Sequence, residues 1–264
     1  MMRFVGFALA AIAIAIAILV YRFRQRIERA AAARTARKAA EAESRRKSRM
    51  SSEVEYVIDR IRAELDREGQ APDPDRAARL SEIREVLTRT FAFESESLPV
   101  SGPCAEVIDA FRGEAGPREI LYSESGDGRW LHVCADRALL RWTVHEMFAN
   151  VFAHAGDWTR IRVLAEPVDG AILLTIRDDG RGLDSAAAAR IYAPFTPRAG
   201  SRGPGLGLYA VRRIVETIGG SLEVRSSHND GLVHRIRLPH PATGPYGDAG
   251  VAGARRPTAR AQIQ

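Results

Sequence analysis

The feature that most constrains this chain is a run of apolar residues near its start that contains no charged side chain. It reads FVGFALAAIAIAIAILVY, from Phe4 to Tyr21. A helix needs about 20 apolar residues to cross the hydrocarbon core of a bilayer. A secretory signal is the alternative, but YRFRQRIER follows rather than a small-residue cleavage site. Residues 1–21 are therefore predicted to be an uncleaved transmembrane anchor in contact with membrane lipid.

The distribution of basic residues orients this anchor. Only Arg3 precedes the run, whereas four arginines follow it closely, at Arg22, Arg24, Arg26 and Arg29. Positive charge accumulates on the cytoplasmic side, so the remainder of the chain is predicted to be cytoplasmic. The net charge of +6 arises from residues 22–49 and from the C-terminal end. This placement favours a membrane surface over nucleic acid as the partner of the basic residues.

The next part of the chain has the composition of helices. Residues 22–67 contain neither proline nor glycine, and 22–50 are predicted to be a basic juxtamembrane helix. Two stripes with three-four spacing flank the breaker GQAPDPD: Val54, Val57, Ile58, Ile61 and Leu65 before it, and Leu80, Ile83, Leu87 and Phe91 after it. Residues 51–97 are thus predicted to be an antiparallel helical hairpin. Because such a hairpin has little core of its own, we expect a homodimer in which two copies form a four-helix bundle.

A different pattern begins at residue 98. Helical segments alternate with β-rich runs at Ile161–Ala165, Ile172–Arg177, Leu222–Ser226 and Val233–Leu238, some joined by the turn sequences PVDG and HNDG. Residues 98–240 are predicted to be an α+β domain, a mixed sheet covered by helices on one face. Residues 241–264 lack an apolar period and are predicted to be a disordered tail. Cys104 and Cys134 lie too far apart to indicate a zinc site or a disulfide framework.

Three segments of this domain carry candidate functional residues. In the first, HEMFANVFAHA, four-residue spacing puts Glu146, Asn150 and His154 on one face of a helix. A solvated helix face is the simple interpretation. The remaining positions are mostly apolar, however, which favours a buried helix whose polar stripe faces a ligand cavity.

The second segment, TIRDDGRGLD, ends a β-rich run with Asp178, Gly180 and Gly182. A carboxylate there can accept a hydrogen bond from a base amine, and glycines let the backbone approach a flat ring, although an ordinary turn explains the same letters.

The third segment, RGPGLGLYAVRRIVETIGG, places Gly203, Gly205 and Gly207 before a helix that starts near Leu208. Free amides at a helix N-terminus suit a polyphosphate. The glycine fingerprint of dinucleotide-binding folds is not matched.

Together and in this order, the three segments resemble the nucleotide-binding boxes of the histidine-kinase/gyrase-type ATPase superfamily, most closely those of bacterial sensor histidine kinases. The resemblance covers residues 98–239 and implies ATP and Mg²⁺ as cofactors. It implies that Asn150 holds the metal and that Glu146 acts as the base or orients water. It also implies that adenine is contacted by Asp178, Gly180 and Gly182. His154 is either a phosphate-side contact or a packed core histidine.

Between the glycine boxes, IYAPFTPRAGSRG resembles the mobile lid over the nucleotide. Phe195 matches its aromatic residue, and its closing end matches Gly205, Leu206, Gly207 and Leu208, preceded by Gly203. Ala153 stands where the family often has a lysine or arginine, a role for which Arg198 and Arg202 in the lid are candidates. Pro204 replaces a threonine or serine, which removes an amide donor near the phosphates.

The hairpin departs further from the family. Ser52 occupies the position of the phosphoacceptor histidine ahead of Glu53, and no histidine precedes His132. The sequence therefore predicts no phosphoacceptor histidine in the hairpin.

Two functions remain open. The first is a histidine-kinase-like protein of the bacterial inner membrane, single-pass, that binds Mg-ATP and transfers its terminal phosphoryl group, with a response regulator as partner. The second is a catalytically silent ATP-binding scaffold that docks a partner kinase or response regulator. A chaperone-like or topoisomerase-type ATPase is disfavoured because no transducer-like sequence follows the glycine boxes.

Overall fold

A computed structural model describes residues 2–68, 73–125, 131–156, 159–197, 203–226 and 231–241; within the first helix the side chains of 2–20, 27, 30, 31 and 68 are not described. The first helix, α1 (Met2–Glu68), runs without interruption, as the lack of glycine and proline in residues 22–67 predicts for that part of it. The chain divides into two compact units, residues 1–55 and 56–264. The predicted domain boundaries at 50/51, 97/98 and 240/241 stay predictions.

The predicted membrane span falls on residues whose side chains, up to Val20, lie outside those described. Among the described residues, no helix contains a segment that is both long and apolar enough to span a membrane. The predicted tail, 242–264, also lies outside the described residues.

Within the second unit, the end of α1 and helix α2 (Pro74–Arg89) correspond to the predicted hairpin. Asp73 caps α2, since its side chain accepts a hydrogen bond from the Arg76 amide at 3.2 Å, and Pro74 takes the first helical position. The Arg76 guanidinium also contacts the Glu64 carboxylate of α1 at 2.8 Å. The ion pair between Arg76 and Glu64 joins the start of α2 to the end of α1.

Most residues of the hairpin's apolar stripes are buried within a single chain, whereas Phe91 is 47% exposed. Five of their residues have no exposed surface: Val57, Ile61, Leu80, Ile83 and Leu87. Helix α2 packs against helix α6 of the α+β part. These five side chains are therefore buried without a second copy of the chain. Their apolar character no longer supports a homodimer.

The α+β part contains a five-stranded and a two-stranded sheet. In chain order its elements are β1 (Glu96–Pro99), α3 (Ser101–Arg112), β2 (Glu119–Glu124), β3 (His132–Ala135), α4 (Arg137–His154), β4 (Arg160–Val168), β5 (Ala171–Asp178), α5 (Ser185–Arg190), α6 (Gly207–Thr217), β6 (Ser221–Ser226) and β7 (Leu232–Pro239). The larger sheet has the order β2-β4-β5-β7-β6. The pairing of β2 with β4 is parallel and the others are antiparallel, so the predicted mixed sheet is confirmed.

The four predicted β-rich runs lie in β4, β5, β6 and β7. The PVDG sequence forms a tight turn in which Asp169 and Gly170 both have positive φ, 47° and 72°, as two-residue hairpin turns require. Alternate residues of β4, β5 and β7 are buried and pack with α3, α4 and α6 in one core. This packing fixes α4 and α6 side by side.

Candidate nucleotide-binding site

Helix α4 presents three polar side chains to one cavity. Asp136 starts the helix by accepting hydrogen bonds from the amides of Ala138 and Leu139 at 2.9 and 3.1 Å. The apolar positions of α4 are buried in the core. Glu146, Asn150 and His154 line a cavity of about 430 Å³. The prediction that these three side chains share one face of the helix is therefore confirmed. The cavity that they line is large enough for a small-molecule ligand.

The opposite wall comes from the closing end of the predicted lid and from α6. Its lining includes Gly203, Gly205, Leu206, Gly207 and Leu208. Gly205 has φ +70°, and a Cβ on it would lie 2.5 Å from the backbone carbon of Thr196, so only glycine fits. The Thr196 amide donates to the Gly205 carbonyl at 3.4 Å and closes the base of the lid. Within the described part of the chain no side chain caps α6, and its first residues line the cavity, so its first amides and positive dipole end lie there.

A much smaller pocket adjoins the cavity on the side of the second segment. Asp178, Gly182 and Leu183 line it together with Asn150 and His154. Its volume is about 10 Å³, room for no more than one water molecule. Adenine therefore enters only if this pocket widens.

Asp178 is held in a fixed position beside this pocket. Its side chain is 4% exposed, and its Oδ1 atom accepts a hydrogen bond from the Gly180 amide at 3.0 Å. Gly180 lies directly against the end of α4, where a Cβ would lie 2.6 Å from the Cβ of Ala155. The glycine thus permits a close contact between loop and helix.

Glu146 is the most buried ionisable group of the cavity, at 5% exposure. Its Oε2 atom pairs with the Arg79 guanidinium, which α2 supplies. Its Oε1 atom is buried without a hydrogen bond within the described residues, and the Nδ1 atom of His145 lies 3.5 Å away. One carboxylate oxygen of Glu146 is therefore shielded from solvent without a hydrogen bond in the described part of the chain, and the other is paired with Arg79.

Arg79 is itself held by a second carboxylate. Its Nη1 atom contacts Glu82 Oε2 at 2.6 Å, and the Trp142 indole donates to Glu82 Oε1 at 2.7 Å. Burial opposes the charge of Arg79, but the charges and hydrogen bonds of Glu146 and Glu82 together outweigh this effect, so the pKa of Arg79 lies above its ordinary value. Burial likewise opposes ionisation of Glu82, but the bond from Trp142 and the charge of Arg79 hold its pKa below its ordinary value.

The structure gathers ten of the twelve sequence-predicted site residues at these two pockets. Eight line the main cavity, and Asp178 and Gly182 line the small pocket. Gly180 and Phe195 line neither pocket. The Phe195 ring instead stacks under the Arg60 guanidinium, 3.9 Å from its centroid. Arg198 and Arg202 lie outside the described residues, and the roles assigned to the twelve residues stay predictions.

Sequence reasoning missed the wall that the other helices contribute. Helix α2 adds Arg79 and Ile83, and α5 with its end adds Ala187, Arg190 and Ile191. No local signal marks them, because their proximity to Glu146 depends on how α2 and α5 pack.

The donor set fits a magnesium-nucleotide ligand. Asn150 and Glu146 supply oxygen atoms, which Mg²⁺ prefers, and Mg²⁺ is commonly held by one or two protein groups together with phosphate oxygens and water. Among the described residues, no cluster of three His, Cys, Asp or Glu side chains capable of holding a metal ion occurs.

Comparison with known proteins agrees with this class of site. Residues 135–242 match the family model described as histidine kinase-, DNA gyrase B- and HSP90-like ATPase. The chain is 26% identical over 168 residues to the sensor histidine kinase YvrG of Bacillus subtilis, covering 60% of this chain and 29% of that protein. It is 25% identical over 208 residues to the sensor protein SrrB of Staphylococcus aureus, covering 71% and 34% respectively. This chain spans about a third of the length of these relatives.

Solved structures give the same fold. The catalytic domain of the histidine kinase ThkA superposes with a TM-score of 0.51 at 19% identity, over 56% of this chain and 97% of that one. The mycobacterial sensor histidine kinase MprB superposes with a TM-score of 0.50 at 22% identity, over 56% and 98%. The fold thus defines an α+β domain of the histidine-kinase ATPase type. Residues 135–242 of that domain are similar to the histidine kinase-, DNA gyrase B- and HSP90-like ATPase family, and sensor histidine kinases are among the similar proteins.

Proposed function

We propose that this chain binds Mg-ATP in the cavity between α4 and α6 and functions as a histidine-kinase-like protein of two-component signalling. One observation carries the proposal: a buried carboxylate, Glu146, the Asn150 carboxamide and the first residues of α6 line one cavity of about 430 Å³, with the Glu146 carboxylate directly beside Gly207. Oxygen donors close to a cluster of backbone amides suit a metal-bound polyphosphate.

Each wall has a separate role in this proposal. Asn150 holds Mg²⁺, which neutralises charge on the phosphates when bound. The first amides of α6 stabilise negative charge that develops on the transferred group. Glu146 accepts a proton from the attacking hydroxyl, ring nitrogen or water, or orients it. The small pocket beside Asp178 receives the adenine after it widens.

A catalytically silent scaffold is the second candidate function, and a specific observation favours it. Two of the three departures from the family pattern, Ala153 and Ser52, lie where phosphoryl transfer needs positive charge or an acceptor. Ala153 is exposed at the end of α4 and offers no cation. The hydroxyl of Ser52, at the position of the missing histidine, donates to the Ser48 carbonyl of its own helix at 3.1 Å. In this alternative ATP binding sets the geometry of the lid and hairpin for a partner kinase.

The proposal extends to location and partners. The apolar run Phe4–Tyr21 and the arginines after it support a single-pass anchor in the bacterial inner membrane, with the ATPase domain in the cytoplasm. A response regulator is the proposed partner, in keeping with ThkA, whose structure was solved in complex with the response regulator TrrA. The proposed oligomer is a homodimer formed through the helical part.

The first test of this function is whether the chain binds Mg-ATP. Titration calorimetry of the full-length chain with Mg-ATP is expected to show binding that Asn150→Ala weakens by at least about tenfold, a loss of about 1.4 kcal/mol. Arg141→Ala is the matched control, since Arg141 is an exposed residue of the same helix that lies outside the cavity. Absence of binding in the unmodified chain refutes the proposal.

Incubation with γ-labelled ATP then separates the two candidates. Label that withstands acid indicates transfer to serine or threonine. Label that acid removes and base preserves indicates phosphohistidine and contradicts the prediction drawn from Ser52. Absence of label on the chain and on added response regulators, with ATP binding intact, favours the scaffold.

A further inference from the structure

The phosphate end of the cavity needs a cation that α4 does not provide. The last turns of α4 carry Ala153, and the lid candidates Arg198 and Arg202 lie outside the described residues. Two arginines line the cavity within the described part of the chain: Arg79 from α2 and Arg190 from α5. A nucleotide polyphosphate carries several negative charges, so which arginine reaches it affects affinity.

Burial distinguishes the two arginines. The Arg190 side chain is exposed, and its Nε atom donates to the Ala186 carbonyl of its own helix at 3.4 Å. The Arg79 side chain is 29% exposed and points into the cavity. A partly buried guanidinium is less screened by water and interacts more strongly with a ligand anion than an exposed one.

Arg79 also lies at the position where the polyphosphate is expected. Its Nη2 atom contacts Glu146, and a Cβ built on Gly207 would lie 3.4 Å from the same nitrogen. Gly207 is the first residue of α6, so the guanidinium adjoins the positive end of that helix. Backbone amides, Asn150 and Arg79 thus surround one region of the cavity.

Glu82 and Trp142 keep this guanidinium in place independently of Glu146. Glu82 holds Nη1 at 2.6 Å, and the Trp142 indole fixes Glu82 in turn at 2.7 Å. The guanidinium carbon also lies 5.8 Å from the centroid of the Trp142 ring. An arginine offers five N–H donors, so Nη1 can stay on Glu82 while Nη2 changes its acceptor.

We propose that Arg79, supplied by the helical hairpin, is a phosphate-binding residue of the nucleotide site and takes the place of the cation missing at Ala153. The proposal rests on ATP being the ligand. On binding, the polyphosphate replaces Glu146 as the acceptor for Nη2. The same exchange removes the ion pair from Glu146 and leaves its carboxylate able to accept a proton. Phosphate binding and activation of the base are thereby coupled through one side chain of the hairpin.

The test measures the affinity of the full-length chain for Mg-ATP, ADP and adenosine by titration calorimetry. Arg79→Gln is expected to weaken ATP at least about tenfold, ADP by less, and adenosine not at all, because the lost contact is to phosphate. Arg84→Gln is the matched control, since Arg84 lies on the same helix outside the cavity, and it should change none of the three. Equal or tighter ATP binding by Arg79→Gln overturns the proposal and indicates that the ion pair obstructs the site.

A second comparison removes the possibility that Arg79 only neutralises Glu146. In a Glu146→Gln background the carboxylate charge is absent, so a purely neutralising arginine has no remaining effect. We expect Arg79→Gln to weaken ATP about tenfold in that background as well. Disappearance of the effect overturns the phosphate contact. If the unmodified chain does not bind ATP, the proposed function is refuted. If Asn150→Ala weakens ATP binding but Arg79→Gln does not, only the phosphate-binding role of Arg79 is refuted.

Discussion

The contact between Asp136 and Arg89 joins the hairpin to the start of the helix that carries Glu146 and Asn150. Asp136 is 4% exposed and performs two tasks at once. Its Oδ1 atom caps α4 through two backbone amides. Its Oδ2 atom accepts hydrogen bonds from Arg89 Nε and Nη2 at 3.1 and 2.9 Å. Replacing Asp136 therefore tests both how α4 begins and how firmly α2 is attached to it.

The two tasks contribute different free energies. Loss of an N-cap costs about 1 kcal/mol. The ion pair is worth roughly 0.5–1 kcal/mol rather than more, because the Arg89 side chain is 52% exposed and water screens it. Asp136→Ala removes both and should lower the free energy of unfolding by about 2 kcal/mol. Asp136→Asn keeps a capping oxygen and should cost only the ion-pair part, as should Arg89→Gln.

Urea unfolding followed by tryptophan fluorescence measures these differences. All three tryptophans lie between residues 130 and 158, so the signal reports the ATPase domain rather than the long first helix. If Asp136→Ala costs no more than Asp136→Asn, the cap contributes nothing and the reasoning is wrong. If Arg89→Gln costs more than Asp136→Ala, Arg89 acts through a contact other than Asp136.

Three further predictions concern packing and ionisation. Tyr192→Phe removes the 2.6 Å bond between its hydroxyl and the fully buried His234, so thermal unfolding should show a loss of roughly 1–2 kcal/mol; an unchanged midpoint argues against this bond. Gly180→Ala should destabilise the domain by roughly 1–3 kcal/mol through overpacking, whereas Gly113→Ala, in a helical conformation with no atom nearer than 4.0 Å, should be neutral or slightly stabilising in the same assay. Burial raises the pKa of the Cys104 thiol to about 12, so the unfolded chain loses this proton near pH 8.5 while the folded chain keeps it. The free energy of unfolding should therefore fall as pH rises above about 9. A Cys104→Ala variant should lose the part of this pH dependence that comes from the thiol.

Several features of the site were determined by the sequence alone, because they depend on local geometry. A helix places residues four apart on one face, so Glu146, Asn150 and His154 share the cavity. Period-two alternation identified the strands that form the centre of the sheet, and PVDG was identified as a turn, in which the structure gives Asp169 and Gly170 positive φ values. The short strands β1, β2 and β3 carried too few alternating residues to be identified in this way.

Only the tertiary structure showed which element packs against each face of a helix. The sequence marked the hairpin stripe as apolar and predicted a second copy as its partner, whereas in the structure Leu80 and Ile83 are buried within one chain. Arg79 and Glu146 are 67 positions apart, and nothing in the local sequence of either relates them. Periodicity specifies a face and its polarity, but the partner of that face is chosen by the combined packing of distant elements. The residues that complete the cavity from α2 therefore became visible only in the folded chain.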